Sequence, residues 1–196
     1  MNEMIKMVVV LTALSVISGG ALAFLQKNTT LLIENNKLQF IKGPAVKEIL
    51  GKTSNDPIVD RFKIKQGDKE DSFFVGKYAG APKAVVLESS GKGFGGDVGI
   101  VVGVNLNDDK IMGVRVTSQS ETPGVGARAQ TDLTFVSQFK GQTLKDAFKV
   151  KSDGGQVDAM AGATITSRAV SSALTDASNA YQKLKSQIIA KAKAIK

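Results

Sequence analysis

The chain is 196 residues long, enough for one modest globular domain and an appendage, and 42% of it is hydrophobic, enough for a real core. It contains no cysteine and no histidine, which excludes disulfides, thiolate nucleophiles, iron–sulfur ligation, the usual zinc sites and a histidine proton shuttle. The formal net charge is +8, yet aromatics make up only 6% and no basic stretch alternates with aromatic rings; nucleic acid is not expected as a partner, and any redox work falls to an organic cofactor.

Residues 7–26 carry no charge and are bounded by Lys6 and Lys27. An apolar helix of about 20 residues spans a bilayer's hydrocarbon layer, so residues 1–27 are read as a transmembrane anchor. The competing reading is a cleaved signal peptide, with Lys6 as its basic region and Ala21-Leu22-Ala23 as its cleavage site. The anchor is preferred because the apolar run continues through Phe24 and Leu25. Either reading puts the bulk of the chain outside the cytoplasm. Lys6 and the α-amine favour a cytoplasmic N-terminus, whereas Glu3 and Lys27 oppose it.

Residues 28–72 are polar and are read as a stalk and approach segment, with one short helix over 45–50 behind Gly43-Pro44. From residue 73 to 190 a single folded domain is expected. Residues 83–88 (KAVVLE) read as a strand. Ile100, Val102, Val104 and Leu106 recur with period two across 97–106, and 111–116 (IMGVRV) returns after the turn at 107–110, a β-hairpin. A helix is expected over 131–139, a short one near Leu144, a strand over 148–151 and a turn at 153–155. The last element is a long helix from Ser167, with Val170, Ala173, Leu174, Ala177, Tyr181, Leu184 and Ile188 on one stripe and Thr166 as its N-cap. The basic tail 191–196 is expected to fray. The fold class is α+β: a single N-terminal transmembrane helix, then one domain with antiparallel hairpins and a long C-terminal helix.

Three segments could carry chemistry. Gly91-Lys92-Gly93-Phe94-Gly95-Gly96 satisfies G-x-G-x-x-G, but a dinucleotide site needs a helix to open there and a β pattern follows, so a turn or bulge entering a strand is the better reading; a third is that backbone without side chains lets a planar ligand approach. In Glu121-Thr122-Pro123-Gly124-Val125-Gly126, Pro123-Gly124 suits a type II turn, either an ordinary surface turn or a loop offering amides and Glu121 to a polar ring system. In Asp158-Ala159-Met160-Ala161-Gly162-Ala163-Thr164-Ile165-Thr166-Ser167, small residues and three hydroxyls precede a helix. That place exposes unpaired N–H groups and favours phosphate, although the hydroxyls could equally serve only as caps.

The third segment closely resembles the flavinylation motif of the FMN-binding domain family: an aspartate, two variable residues, serine or threonine, then Gly-Ala-Thr. The 121–126 loop is similar to that family's Glu-Thr-Pro-Gly-x-Gly loop beside the flavin. The glycines around Phe94, the hairpin that follows, and Ser137-Gln138-Phe139-Lys140-Gly141 match in order. With the anchor, the resemblance extends over residues 5–185, and within the family it points to the G subunits of Rnf-type ion-translocating ferredoxin:NAD⁺ oxidoreductases. It implies covalent FMN, joined through its phosphate to Thr164 by a separate flavin transferase. Gly162, Ala163, Ile165, Thr166 and Ser167 would surround the phosphate, and Glu121, Thr122, Gly124, Val125 and Gly126 would lie by the ring. Separately from the resemblance, the proximity of Arg128 and Arg168 to the motifs leads to the expectation that one of them stabilises the phosphate or reduced flavin. Ala161 departs from the family pattern, standing where serine or threonine is preferred.

The resemblance further implies an electron-transfer protein without independent turnover, held at the cell membrane with its domain on the extracytoplasmic side, and partnered by iron–sulfur and membrane subunits. Related alternatives are the FMN carrier of a sodium-pumping NADH:quinone reductase and a stand-alone extracytoplasmic electron-transfer system. The non-redox alternative is an exported ligand-binding protein.

Overall fold

The structure, a computed structural model, describes residues 3–66, 69–145 and 148–195. Two compact units emerge, residues 1–41 and 42–196.

The first unit is helical. Helix α1, Glu3–Lys37, holds the uncharged run, and its most apolar window has a mean hydropathy of 2.3. At about 1.5 Å per residue its 35 residues reach about 52 Å, against about 30 Å of hydrocarbon, so it is long and apolar enough to cross a membrane with turns to spare. The helix therefore continues well past residue 27, into the segment read from sequence as a polar stalk. A π-helical turn, Leu38–Lys42, follows it.

The second unit is built on a five-stranded antiparallel meander: β1 (Arg61–Gln66), β2 (Lys69–Tyr78), β3 (Ala81–Lys92), β4 (Asp97–Asn105) and β5 (Ile111–Ser118), in that spatial order. The hairpin read from period two is β4–β5, with Val102 opposite Val114. Residues 61–66 and 69–72, taken from sequence as part of the approach segment, instead supply β1 and the start of β2. In β1 only Phe62 and Ile64 are apolar, alternating with Arg61, Lys63 and Lys65, as expected of an edge strand with one wet face.

Helix α5, Thr164–Ala194, packs along one face of the sheet. Its stripe Val170, Leu174, Tyr181, Leu184 and Ile188 is buried with Phe73, Val85, Leu87, Ile100, Val102, Val104 and Val114 in one core. The helix comes so close to β3 that a Cβ on Gly91 would lie 2.0 Å from the Ala169 carbonyl oxygen. On the opposite face sits α2, Gly43–Leu50, the short helix expected at 45–50, with Pro44 in its first turn. Its Ile49 occupies the space a side chain at Gly103 would need.

Four local expectations are corrected. The helix expected over 131–139 is broken into α3 (Arg128–Thr131) and α4 (Leu133–Ser137), because Asp132 turns extended and its carboxylate accepts the Thr134 amide as a cap. Leu144 lies in a turn rather than a helix, and residues 146–147 are outside the described residues. The strand expected over 148–151 reduces to a single parallel bridge between Val150 and Val157, followed by a 3₁₀ turn at Lys151–Asp153. The tail does not fray at residue 191: α5 continues to Ala194, Ala192 is fully buried, and the Lys191 ammonium donates to the Lys63 carbonyl over 2.9 Å.

Candidate functional site

The N-terminus of α5, the β3–β4 loop and the loop between β5 and α3 converge at one end of the sheet. Between them lies a cleft of about 350 Å³ lined by Phe94, Glu121, Thr122, Val125, Gly126, Gly162, Ala163, Thr164, Ile165 and Thr166. Three segments far apart in sequence, each singled out by its residues, thus meet at one place.

The helix start differs from expectation in an instructive way. It begins at Thr164, not Ser167, and the N-cap position is Ala163, which offers no capping side chain. The first intrahelical bond runs from the Ser167 amide to the Ala163 carbonyl over 3.0 Å. The amides of Thr164, Ile165 and Thr166 have no acceptor among the described residues. A 31-residue helix therefore opens on an uncapped turn that forgoes about 1 kcal/mol of capping and turns bare donors and the positive helix end toward the cleft. Gly162, at φ +75°, makes the left-handed turn into the helix, and a Cβ there would touch only the Val125 side chain, at 4.0 Å.

The three hydroxyls have separate fates. Thr166 is not the N-cap; it is buried, and its hydroxyl donates to Glu121. Ser167 is fully buried, accepts the Met160 amide at 3.0 Å and donates to the Ala163 carbonyl at 3.0 Å. Thr164 is half-buried on the cleft wall, and its hydroxyl has no hydrogen-bond partner among the described residues.

Glu121 ties the site together. It is 6% exposed and accepts both the Thr166 hydroxyl and the Gly95 amide, the latter at 2.7 Å. Its own amide donates to the Gln119 side chain at 2.7 Å. A Cβ on Gly93 would stand 2.6 Å from one carboxyl oxygen of Glu121, and one on Gly126 2.8 Å from the other, so both glycines are needed for the chain to close around this group. The type II turn is present: the Val125 amide donates to the Thr122 carbonyl at 3.2 Å, with Gly124 at φ +73°. Gly124 itself is not among the lining residues.

The two arginines diverge. Arg128 donates to the Ala161 carbonyl at 2.9 Å and bridges the 121–126 loop to the motif. Arg168 turns outward into a bidentate pair with Asp153, both bonds 2.7 Å, which holds the Asp153 carboxyl below its usual range. The sequence match at Gln138 gains a physical role: its amide group brackets the start of the motif, donating to the Asp158 carbonyl at 3.1 Å and accepting the Asp158 amide at 2.8 Å. Phe94 is the lining residue that sequence reasoning passed over. It appeared only as a marker inside a glycine cluster, although an aromatic between glycines, next to a segment matching a cofactor family, was the available signal.

Residues 93–179 match the FMN-binding domain family, a span that begins at the glycine loop and includes the 121–126 loop and the Thr164 motif. The G subunit of an ion-translocating oxidoreductase complex from Pseudomonas aeruginosa is 32% identical over 182 residues, covering 86% of this chain and 84% of its own length. The chain belongs to the G-subunit family of ion-translocating oxidoreductase complexes. Another member, from Cereibacter sphaeroides, is 37% identical over 122 residues, 59% of this chain and 55% of that relative's length. In fold, the chain is similar to the C subunit of the Na⁺-translocating NADH-quinone reductase from Parabacteroides distasonis, with a TM-score of 0.58 and 24% identity over 76% of this chain and 90% of that one.

The residues present fit FMN. The cleft's unpaired backbone donors sit at a helix N-terminus, its walls are apolar at Phe94, Val125 and Ile165, and the Thr164 hydroxyl, without a partner among the described residues, stands at the first turn of that helix. That is the donor set a phosphate joined to a flat aromatic system requires.

Proposed function

We propose that this chain is a membrane-held electron carrier whose FMN is joined through its phosphate to Thr164, and that it serves within an Rnf-type ion-translocating ferredoxin:NAD⁺ oxidoreductase. The observation that carries this reading is the fate of the three hydroxyls: those of Thr166 and Ser167 are engaged, and that of Thr164 alone stands free at the first turn of an uncapped helix. FMN, when bound, supplies electron uptake and release. The protein's part is to hold it. A phosphoester removes dissociation from a group that must shuttle electrons between partners. The amides of Thr164, Ile165 and Thr166 and the helix end offset the phosphate charge. Glu121, Thr122, Gly124, Val125 and Gly126 shape the side of the cleft toward the ring, and Gly162 and Ala163 let the phosphate approach the backbone. Arg128, rather than Arg168, is placed to secure this geometry.

Attachment requires a flavin transferase as a maturation partner. The anchor is α1, crossing the cell membrane once with the FMN domain on the extracytoplasmic side. Between Lys6 and Lys27 this helix has no ionisable side chain, so ion coupling resides in membrane and iron–sulfur partner subunits. The fold it shares with the C subunit of a quinone reductase supports one second reading, the FMN carrier of a sodium-translocating NADH:quinone reductase. Copurified subunits separate the two.

The test is peptide mass mapping on chain co-expressed with the transferase. The peptide holding Thr164 should gain the mass of FMN less one water, and Thr164→Val should abolish it while Thr166→Val leaves the label at Thr164. A label mapped to Thr166 or Ser167 would overturn the assignment.

A further inference from the structure

Among the described residues of 42–196 the two most exposed large apolar side chains are Val59, at 74%, and Phe94, at 73%. Val59 lies in the turn before β1, toward the other end of the sheet from the cleft. Phe94 stands on the cleft rim. Its exposure does not come from a loose loop. The Gly93 amide donates to the Gly96 carbonyl at 2.9 Å, and the Gly95 amide donates to Glu121 at 2.7 Å. A Cβ on Gly95 would lie 2.0 Å from the Ser120 carbonyl oxygen, so the backbone is pressed against the neighbouring segment and only glycine fits. The loop is held on both sides of a phenyl ring that is itself left in water. Exposing a large apolar ring on a fixed backbone is unfavourable unless something covers it. Val125 and Ile165, 39% and 45% exposed, line the same cleft, so the apolar surface is gathered around one space.

We propose that Phe94 is a positioning residue for the cofactor: its ring forms the stacking wall for the isoalloxazine of an FMN held at Thr164, and sets the plane in which the flavin presents its edge to electron partners. The inference rests on the Thr164 reading and extends it to a residue outside the two matched motifs. An isoalloxazine is flat, apolar on its faces and polar at one edge. Offset stacking, with centroids about 4.5–7 Å apart, would cover Phe94 and leave the polar edge to the amides of Thr122 and Gly126, which have no acceptor among the described residues. The tether fixes the phosphate end but leaves the ring free to swing about the ribityl chain. A wall is what converts a tethered flavin into an oriented one.

The chain has no tryptophan, so one can be placed at will. Full-length chain in detergent, co-expressed with the flavin transferase, is compared as wild type, Phe94→Trp, Phe94→Ala and Val59→Trp. Flavin content is fixed by intact mass, and emission is expressed per mole of flavin. An indole stacked on an isoalloxazine quenches its emission on contact. Phe94→Trp should lower flavin emission several-fold in the native protein, with recovery in denaturant, while Val59→Trp matches wild type. Phe94→Ala should keep full flavin content, because the tether is covalent, yet lower the flavin's emission anisotropy and its visible circular dichroism. Stoichiometric flavin in Phe94→Trp with wild-type emission, or unchanged anisotropy in Phe94→Ala, would overturn the stacking role and leave the tether intact; it is also the result expected if Phe94 serves contact with a partner protein. A wild-type chain without flavin would refute the tether itself, and the inference with it.

Discussion

Glu121→Ala tests whether one carboxyl group holds three segments together. The substitution removes the acceptor for two donors, the Gly95 amide and the buried Thr166 hydroxyl. A donor left unsatisfied in the interior costs about 1–3 kcal/mol. Because Glu121 lines a cleft, water can partly replace it, so the lower part of that range applies, about 2–3 kcal/mol for the pair. For a folded unit of this size about 2–4 °C of Tm accompanies each kcal/mol, giving a fall of about 4–12 °C. Glu121→Gln keeps an acceptor for the Gly95 amide and can reverse the bond to Thr166, so it should cost less than about 1 kcal/mol. The assay is urea unfolding of flavin-free, detergent-solubilised chain, followed by far-ultraviolet circular dichroism, with the slope against denaturant checked for constancy. If Glu121→Ala unfolds within about 0.5 kcal/mol of wild type, or Glu121→Gln costs as much as Glu121→Ala, the brace is not what orders the site.

Gly91→Ala places a methyl 2.0 Å from the Ala169 carbonyl oxygen, a backbone atom that cannot turn away, so α5 must lift from β3 at a cost of about 3 kcal/mol or more, read from the same unfolding curves. Asp109, in the left-handed region at φ +59°, would be raised by burial, but hydrogen bonds from Lys185 and Tyr181 and the charges of Lys185 and Lys145 outweigh that and hold its carboxyl below the ordinary range. Its stabilisation is therefore complete above the usual carboxylate range near pH 4 and is lost as pH falls through the lower native value. Asp109→Asn, which tolerates the same backbone, should cost about 2 kcal/mol at neutral pH and show a shallower loss of stability between about pH 4 and pH 2; parallel curves would refute this. Arg128→Ala should reduce flavin loading by releasing the 121–126 loop from Ala161, whereas Arg168→Ala, which breaks only an exposed pair with Asp153, should load normally; equal loading of the two variants would count against the division of roles.

Local sequence determined the elements whose signal is local. The uncharged run marks the first part of α1, period two marks β4 and β5, the stripe from Val170 to Ile188 marks the body of α5, and Pro123-Gly124 marks the turn, because each depends only on neighbours in the chain. The motifs also named the residues that meet at the cleft, Phe94 excepted, together with Gly124 and Ser167, which do not line it. The remaining features needed partners distant in sequence. β1 is legible only against β2, because alternate residues of its six face water. The last turn of α5 stays ordered because Lys191 reaches β1 and Ala192 is covered, which composition alone reads as a basic tail. The start of α5 is the clearest case. Local chemistry lets any of Thr164, Thr166 and Ser167 cap a helix start, with Thr166 the expected N-cap, and only the family resemblance singles out Thr164. Glu121 lies 45 residues before Thr166, and its carboxyl group takes that hydroxyl, while the turn at Met160 and Ala163 takes that of Ser167. Only the bond to Glu121 is tertiary; with Thr166 taken there and Ser167 taken by the local turn, the Thr164 hydroxyl is the one left, because a buried hydroxyl must find a partner and one open to the cleft need not.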